Sequence, residues 1–311
     1  MKIGSSETTR EAFNFSEYTK VKPHHIKNLD ISFLEWFIGF VEGDGSFIVN
    51  TSTYKKRLIF CINQTDSQLM FKIKKKLGFG CVTCFMQNNQ PYYRYAVYDF
   101  KNLTRLIHLF NGNLHLNKVN TRFQIWLSTY NSVNSIVTKN YVSILYKQPN
   151  LKLSLDSAWL SGFVDAEGGF YASLTKQANL PLKYRLRLKF YITQKSELKI
   201  LITIIRLIHE NSSGVFLNEN TPCNSAIFTE NKYISNFKPD FYRLEISTDN
   251  YISTIIAYFE KYQLQGKKYI VFTRWKRIYI NRPILKKIAS RSEKSFLRFQ
   301  KLVIAVQNTK N

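Results

Sequence analysis

The sequence is poor in residues that crosslink a chain or interrupt its regular elements. Its 311 residues include four cysteines, seven prolines and twelve glycines. Cys81 and Cys84 have the spacing of half a zinc site, but no second cysteine pair follows. His108 and His115 do not lie at a familiar ligand spacing either. We therefore expect reduced cysteines on a strand of a protein that is not secreted, rather than a zinc site or a disulfide framework.

Long apolar runs and targeting signals are also lacking. The best apolar stretch is interrupted by Glu35, Glu42 and Asp44, so it falls short of the roughly 20 apolar residues of a membrane-spanning helix. The first 17 residues contain three glutamates, which is unlike a signal peptide or an acid-poor transit peptide. We expect no membrane partner, and a protein that works in an organelle would then be encoded there.

Acidic residues are scarce relative to basic ones. There are 21 Asp and Glu against 45 Lys and Arg, giving a net charge of +24 and a pI near 9.8. Such an excess indicates a polyanionic partner. A chain of this length with 44% hydrophobic residues is globular and long enough for two domains. Lys, Asn, Ile, Phe and Tyr have AT-rich codons, so their abundance favours an AT-rich organelle genome, mitochondrial rather than plastid.

One stretch of the chain occurs twice. The segments 36–47 (WFIGFVEGDGSF) and 159–170 (WLSGFVDAEGGF) lie 123 residues apart throughout. Both keep an aromatic start, a glycine at the fourth position, Phe-Val, an acid, a small residue, a second acid and a glycine. A match of this length predicts two copies of one structural unit.

Each copy reads as an apolar helix that ends on a carboxylate. Ser32 followed by Glu35 has the form of a capping box at the first helix start. Gly45 and Gly168 suit the left-handed conformation that stops a helix. The alternative, a buried helix with a glycine stop and no further role, is disfavoured because the pattern occurs twice.

Small residues in each copy predict how the two helices pack. Gly39 and Gly43 lie four residues apart and share one helix face, as do Gly162 and Ala166. Two such faces allow the helix backbones to approach closely. Packing on these faces would place Asp44 and Glu167 side by side, where each raises the pKa of the other. A divalent metal would remove that repulsion and give the pair a chemical purpose.

The two motifs resemble those of the LAGLIDADG homing endonucleases, in the single-chain form with two motif copies. The resemblance covers roughly residues 32 to 282. It implies an α+β fold of two pseudo-symmetric αββαββα halves, whose antiparallel sheets together form a DNA-binding saddle. We divide the chain into an N-terminal tail, a first half, a linker, a second half and a C-terminal basic helix, at residues 1–29, 30–130, 131–153, 154–283 and 284–311.

Within the second half the repeated element order predicts one interrupted hairpin. A strand is expected near 214–217, followed by a polar insert over 218–240 and a strand over 241–247. The insert would lengthen that hairpin.

An alternating basic strand gives the clearest sign of a DNA-reading face. In 184–192 the even-numbered residues Leu186, Leu188 and Phe190 are apolar, while the residues between them are polar or basic. Cations two residues apart match phosphates and base edges along a major groove. The alternative is a merely solvated strand. The predicted DNA contacts on both halves are Ser46, Ile48, Asn50, Ser52, Arg57, Cys61, Arg94, Tyr171, Ser173, Thr175, Arg185, Arg187, Lys189, Tyr191 and Arg243.

The resemblance also implies residues around the carboxylates. Gln64 and Gln194 match positions that hold metal-bound water, although each could instead cap the next helix. Lys118 and Lys268 match a lysine that activates water or stabilises phosphate charge, with Lys267 as a competitor for Lys268 and solvation as the alternative for each.

The metal ligands follow from the same resemblance. They would be Asp44, Glu167 and the carbonyl oxygens of Gly43 and Ala166, with Mg2+ as the ion and Mn2+ as a substitute. The first acids of the motifs, Glu42 and Asp165, are expected to be structural.

The expected function is that of a monomeric, site-specific, intron-encoded DNA endonuclease. It would recognise a long non-palindromic target in double-stranded DNA, hydrolyse both strands and leave 3′ overhangs. Two alternatives remain open: a maturase that binds intron RNA, and a non-cleaving DNA-binding protein on the same scaffold.

Overall fold

The structure is a computed structural model that describes residues 13–51, 57–138, 141–177, 184–212, 229–283, 285 and 293–308. A short helix α1 (Ser16–Val21) precedes two similar halves. The first half consists of α2 (Ile31–Asp44), β1 (Gly45–Asn50), β2 (Arg57–Gln64), α3 (Ser67–Leu77), β3 (Cys81–Gln87), β4 (Gln90–Val97), α4 (Phe100–Phe110) and α5 (Asn117–Val137). The second consists of α6 (Trp159–Glu167), β5 (Gly168–Lys176), β6 (Tyr184–Lys195), α7 (Leu198–Ser212), β7 (Ile234–Lys238), β8 (Phe241–Ile246), α8 (Asp249–Lys261) and α9 (Lys268–Asn281), and α10 (Glu293–Gln307) follows.

Each half contains one antiparallel sheet of four strands with the same connectivity. The strand orders are β1-β2-β4-β3 and β5-β6-β8-β7. The registers also correspond, since Gly45 pairs with Ile62 in the first sheet and Gly168 pairs with Ile192 in the second. The predicted α+β class with paired antiparallel halves is therefore confirmed, and each half ends in two helices rather than one. In the described part of the chain, no helix has both the length and the apolar character needed to cross a membrane.

The core of each half is a cluster of aromatic rings between the sheet and its last helices. In the first half, Phe47 contacts Phe60 on β2 and Trp126 on α5. In the second half, Phe170 contacts Phe190 on β6 and Trp275 on α9 in the same way. The even-numbered side chains of β6 that face this core alternate with side chains that face away from it. The strand pattern thus separates a core face from an open face in both sheets.

The motif helices α2 and α6 cross at glycines, and their backbones are in direct contact. A Cβ placed on Gly39 would lie 2.0 Å from the carbonyl oxygen of Trp159. One placed on Gly162 would lie 1.8 Å from the carbonyl oxygen of Trp36, and one on Gly43 would lie 2.3 Å from the Cβ of Ala166. The predicted small-residue faces therefore form the interface between the halves, and this interface brings the two helix C-termini together.

The ends of the first motif helix differ from the sequence prediction. Asp30 is the N-cap residue and accepts a hydrogen bond from the Phe33 amide at 3.0 Å. Glu35 does not complete a capping box, because its carboxylate accepts a hydrogen bond from the amide of Ala158 instead. Gly45 has φ −76° and ψ 149° and Gly168 has φ −102°, so neither is left-handed. Each is the first strand residue, and a Cβ on Gly45 would lie 2.5 Å from Val41.

Two predicted segment boundaries also fall inside ordered structure. Residues 13–29 belong to the predicted tail, yet Tyr18 is fully buried and Asn14 exchanges hydrogen bonds with Asn113. The predicted start of the linker at 131 lies within α5, which continues to Val137. Short polar segments of this kind are ordered by tertiary contacts that sequence periodicity does not report.

The hairpin of the second half is not lengthened as predicted. Its first strand is β7 at Ile234–Lys238, which lies within the predicted insert 218–240. The turn to β8 consists of two residues, Pro239 and Asp240, so it is as tight as the Asn88-Asn89 turn of the first half. The strand predicted near 214–217 lies outside the described residues, as does Ser52.

Candidate active site and nucleic-acid interface

Two carboxylates meet where the motif helices end. Asp44 is the last residue of α2 and Glu167 the last of α6. Burial raises the pKa of Asp44 above its usual value, and Lys268 and Gln64 partly oppose that rise. Burial also raises the pKa of Glu167, and the negative charge of Asp44 raises it further. The predicted effect of one acid on the other is thus found for Glu167, whereas the pKa of Asp44 is raised by burial.

A glutamine from each sheet reaches the carboxylates. Gln64, at the end of β2, donates a hydrogen bond from Nε2 to Oδ2 of Asp44 at 2.5 Å. Gln194 on β6 is 2% exposed and helps to lower the pKa of Glu167. Its Oε1 accepts a hydrogen bond from Nζ of Lys118 at 2.6 Å, and its side-chain amide lies at the Glu167 carboxylate. Each of the two carboxylates thus has a glutamine amide beside it.

Each lysine lies near the carboxylate of the opposite half. Lys118 belongs to the first half, and burial lowers its pKa while the charge of Glu167 raises it. Lys268 belongs to the second half and donates hydrogen bonds to the carbonyl oxygens of Val164 at 3.2 Å and Ala166 at 3.0 Å. Burial lowers its pKa, and the charges of Asp165, Asp44 and Glu167 oppose that shift.

The structure also separates the two competing lysines. Lys267 is exposed, and its Nζ lies 3.5 Å from the carbonyl oxygen of Thr65. Lys268 is the lysine that lies among the carboxylates.

The first acids of the motifs connect the helix interface to the lysine loops. Glu42 is fully buried, accepts a hydrogen bond from the indole of Trp159 on the other motif helix, and accepts another from the Leu116 amide at 2.6 Å. Asp165 likewise accepts from the indole of Trp36 at 2.9 Å and from the Gln265 amide at 2.6 Å. These contacts support the structural role expected for both acids.

Two further acids, which sequence analysis missed, hold the lysine loops across the interface. Glu197 accepts a hydrogen bond from the Lys118 amide at 2.8 Å. Asp66 accepts one from the Lys267 amide at 3.1 Å, and its other oxygen caps α3 through the Leu69 amide. The contact between halves had no signal in the local pattern, because its partner lies about 200 residues away in the chain.

The donor set of this site fits a hard divalent cation. Asp44 and Glu167 offer carboxylate oxygens, and Gly43 and Ala166 offer carbonyl oxygens at the same helix ends. Oxygen ligands completed by water are what Mg2+ and Ca2+ prefer. Within the described ranges, no group of three or more His, Cys, Asp or Glu residues converges on one point, so water or a substrate would have to complete the coordination. Cys81 and Cys84 are free thiols on β3.

Most predicted DNA contacts lie on the open face of the sheets. Arg57, Arg185 and Arg187 are exposed, and Ile48 and Tyr171 are 39% and 40% exposed. The residues of intermediate exposure are Ser46, Asn50, Arg94, Lys189, Tyr191 and Arg243, and Thr175 is exposed. Cys61 and Ser173 share this face by alternation but are 3% and 6% exposed. A ligand therefore has little access to these two side chains.

Arg94 and Arg243 occupy equivalent places in the two sheets. Arg94 lies opposite Asn63 on β2, and Arg243 lies opposite Thr193 on β6. Arg94 donates a hydrogen bond to the side chain of Asn63 at 2.9 Å. The pseudo-symmetry of the two sheets thus relates the two guanidinium groups to each other.

Comparison with known proteins places these features in a family. The sequence model of the LAGLIDADG endonuclease family matches residues 37–130 and 160–279. The "Probable intron-encoded endonuclease 4" of Neurospora crassa is 35% identical over 88% of this chain, and the chain spans 42% of that protein. The "Uncharacterized cox1 intron-2 37.2 kDa protein" of Schizosaccharomyces pombe is 27% identical over 89% of this chain and 75% of its own length. The "Intron-encoded RNA maturase bI4" of Saccharomyces cerevisiae is 27% identical over 62% of this chain and 29% of its own.

Solved structures show the same fold. The LAGLIDADG meganuclease I-AabMI bound to uncleaved DNA matches with a TM-score of 0.62 at 19% identity, over 89% of this chain and 99% of that one. I-SmaMI bound to an uncleaved DNA target in the presence of calcium ions matches with a TM-score of 0.58 at 17% identity, over 88% and 98%. Because the sequence match spans both motif copies and the halves that contain them, this chain belongs to the LAGLIDADG endonuclease family.

Proposed function

We propose that the protein is a site-specific double-strand DNA endonuclease of the intron-encoded homing type. It recognises a long non-palindromic target, hydrolyses both strands with a divalent metal and leaves 3′ overhangs. The juxtaposition of Asp44 and Glu167 carries this proposal. These two partly desolvated carboxylates lie side by side in a strongly basic protein, and no structural purpose for the pair is evident. The neighbours I-AabMI and I-SmaMI, which carry the same fold, are described as bound to DNA.

The metal would be held by Asp44, Glu167 and the carbonyl oxygens of Gly43 and Ala166. Mg2+ is the proposed ion, with Mn2+ as a substitute, and when bound it supplies charge for activating water and stabilising the leaving 3′ oxygen. Gln64 holds the carboxylate of Asp44 in place, and Gln194 supports the carboxylate of Glu167. Lys118 and Lys268 place positive charge where the phosphate becomes more negative in the transition state.

The two halves suggest the form of the target. Their sheets have the same connectivity but different side chains on the open face, so the two half-sites would differ and the target would not be palindromic. One chain supplies both carboxylates, so a monomer suffices. We propose a mitochondrial location rather than a plastid one, because relatives are named after cox1 introns and, in one case, as a mitochondrial protein.

Purified protein and the intronless form of its host gene would test the proposal. A single double-strand cut in Mg2+, with binding but no cut in Ca2+, is the expected result. Tight DNA binding without a cut in Mg2+ or Mn2+ would contradict it and favour a non-cleaving DNA-binding protein.

Adjacent lysines provide a matched pair of variants. Lys268→Met removes the ammonium group beside Asp44, so cleavage of one strand should slow about 100-fold, which corresponds to roughly 3 kcal/mol of transition-state stabilisation. Lys118→Met should slow the opposite strand, because Lys118 lies beside Glu167. Each variant should accumulate a nicked intermediate that end-labelled duplexes assign to a strand. Lys267→Met, which alters an exposed side chain, should cut at about the wild-type rate. Equal effects of the Lys267 and Lys268 substitutions would reject the assignment of Lys268.

RNA binding is a second candidate function. One relative is named as an intron-encoded RNA maturase, and the cationic open face would bind folded RNA as well as DNA. Binding of the folded host intron, with faster splicing of that intron in the presence of the protein, would support this activity alongside cleavage. Splicing that proceeds at the same rate with and without the protein would contradict this activity.

A further inference from the structure

The open face of the second sheet contains one acidic side chain among the described strands. Glu245 on β8 is the only Asp or Glu in the eight described strands. It pairs with Tyr191 in the register of the sheet, so it shares the face of the predicted DNA contacts. A carboxylate on a DNA-facing surface repels phosphate and weakens binding to every sequence. Its presence there calls for a compensating role.

Glu245 is the centre of a small cluster on strands β6 and β8. Its Oε1 accepts a hydrogen bond from Nζ of Lys189, and its Oε2 lies 3.6 Å from Nε of Arg243. The Arg243 guanidinium lies 4.0 Å from the centre of the Tyr191 ring, within the range of a cation–π contact. We call Lys189, Tyr191, Arg243 and Glu245 the β6–β8 cluster. Its charged side chains are about one-third exposed, so they remain accessible to a ligand.

Strand β5 contacts the tyrosine of this cluster at a glycine. A Cβ on Gly169 would lie 2.5 Å from the hydroxyl oxygen of Tyr191, so the tyrosine side chain lies over this glycine. Gly169 and Tyr191 are register partners on β5 and β6. Ser46 occupies the corresponding position of the first motif.

The first sheet has no equivalent cluster. The positions that correspond to Tyr191 and Glu245 are Cys61 and Ala96, which pair with each other on β2 and β4. The position that corresponds to Lys189 is Ile59. The charge arrangement is thus specific to the second half and is not a requirement of the fold.

We propose that Glu245 is a positioning residue for base recognition, which holds Lys189 and Arg243 on a guanine in the half-site bound by the second sheet. Lys and Arg donate hydrogen bonds to O6 and N7 of guanine in the major groove. Glu245 restrains both cations away from the nearest phosphates, which any sequence would offer. Glu245 therefore lowers the affinity for all DNA. It also increases the difference in affinity between DNA with the correct base pair at this position and DNA with any other. This inference rests on the proposed recognition of a specific duplex.

Glu245→Gln tests the proposal with a neutral side chain of equal size. Wild type and variant would each select from a pool of randomised DNA duplexes in Ca2+, and affinities for an unselected duplex would be measured in parallel. The wild-type site should show a G·C preference in the second half-site, and the variant should lose about tenfold or more of that discrimination. Affinity of the variant for unselected duplex should rise about two- to fivefold because one negative charge is gone.

Two further variants separate positioning from charge. Glu260→Gln removes a charge from α8, where Glu260 pairs with Lys276, so it should leave the base preference unchanged. Glu245→Asp keeps the charge on a shorter side chain, so it should relax the base preference without raising affinity for unselected DNA.

A selected site identical in wild type and Glu245→Gln would overturn the role of Glu245 and leave the endonuclease proposal intact. A change in affinity that is the same for every DNA sequence, with no change in base preference, would also overturn it. A wild-type protein that enriched no sequence would overturn specific recognition itself, and this inference with it. Thermal unfolding of each variant would show that the fold is retained.

Discussion

Asp44→Asn and Glu167→Gln should each abolish double-strand cleavage while leaving DNA binding intact. The two carboxylates are half-buried, adjacent and at the ends of the motif helices, so they are the main anionic ligands available to a divalent metal there. Loss of one ligand removes several kcal/mol of transition-state stabilisation, which is about a 10³-fold loss of rate or more. Cleavage would be measured in Mg2+ and Mn2+, and binding without metal and in Ca2+.

Asp156→Asn is the matched control for these variants. Asp156 is an exposed carboxylate that pairs with Lys261, and it precedes α6 rather than lying at the C-terminal end of a motif helix. Its loss should therefore change neither the cleavage rate nor the DNA affinity appreciably. Because each active-site substitution also relieves repulsion between two acids, the variants should be at least as stable as wild type. Normal cleavage by both variants would show that Asp44 and Glu167 are not active-site residues. Loss of binding together with cleavage would indicate a structural defect instead.

The sequence predicted the parts of this site that lie within one periodic element. The repeat of residues 36–47 and 159–170 predicted two close-packed helices, and alternation in β6 predicted the core face and the open face. Both predictions rest on local geometry that tertiary context rarely overrides when the pattern is long. Helix α3 likewise begins and ends at local signals, since Asp66 caps it and Gly78 ends it with φ +79°.

The parts that could not be predicted depend on contacts between distant segments. Ser32 and Asp30 are both competent cap residues, and the Glu35 side chain that a capping box at Ser32 would use bonds instead to Ala158 in the other half. Lys267 and Lys268 are neighbours in the chain, and only the packed interface shows which of them lies among the carboxylates. Strand β7 is mostly exposed on both faces, so its sequence lacks the alternation that reveals a half-buried strand.

Glu245 illustrates a different limit of sequence reasoning. Its position in an otherwise basic and apolar set of strands is visible in the sequence, but its partners lie on two strands. Lys189 is 56 residues away in the chain, and register alone brings the two together. A search for the single exception in a charge pattern would have found this residue, although not its role.

Gly162→Ala should destabilise the whole molecule, because the added methyl group would lie 1.8 Å from the carbonyl oxygen of Trp36. Alanine favours a helix by up to about 1 kcal/mol over glycine, but the obstacle here is backbone rather than a side chain that can rotate. The helices must therefore separate, at a net cost of about 2 to 4 kcal/mol. Gly39→Ala should act similarly, since its methyl group would lie 2.0 Å from the carbonyl oxygen of Trp159.

Urea unfolding curves would measure this cost, with Ser32→Ala as the control. Ser32 is exposed in the first turn of α2, the helix of Gly39, and is not its cap, so its replacement should be nearly neutral. Separation of the helices also moves Asp44 away from Glu167, so the glycine variants should lose cleavage at temperatures where they remain folded. If both glycine variants unfolded at the wild-type urea concentration and cut at the wild-type rate, direct backbone contact between α2 and α6 would be disproved. Contacts other than this interface would then have to bring the carboxylates of the two motif copies together.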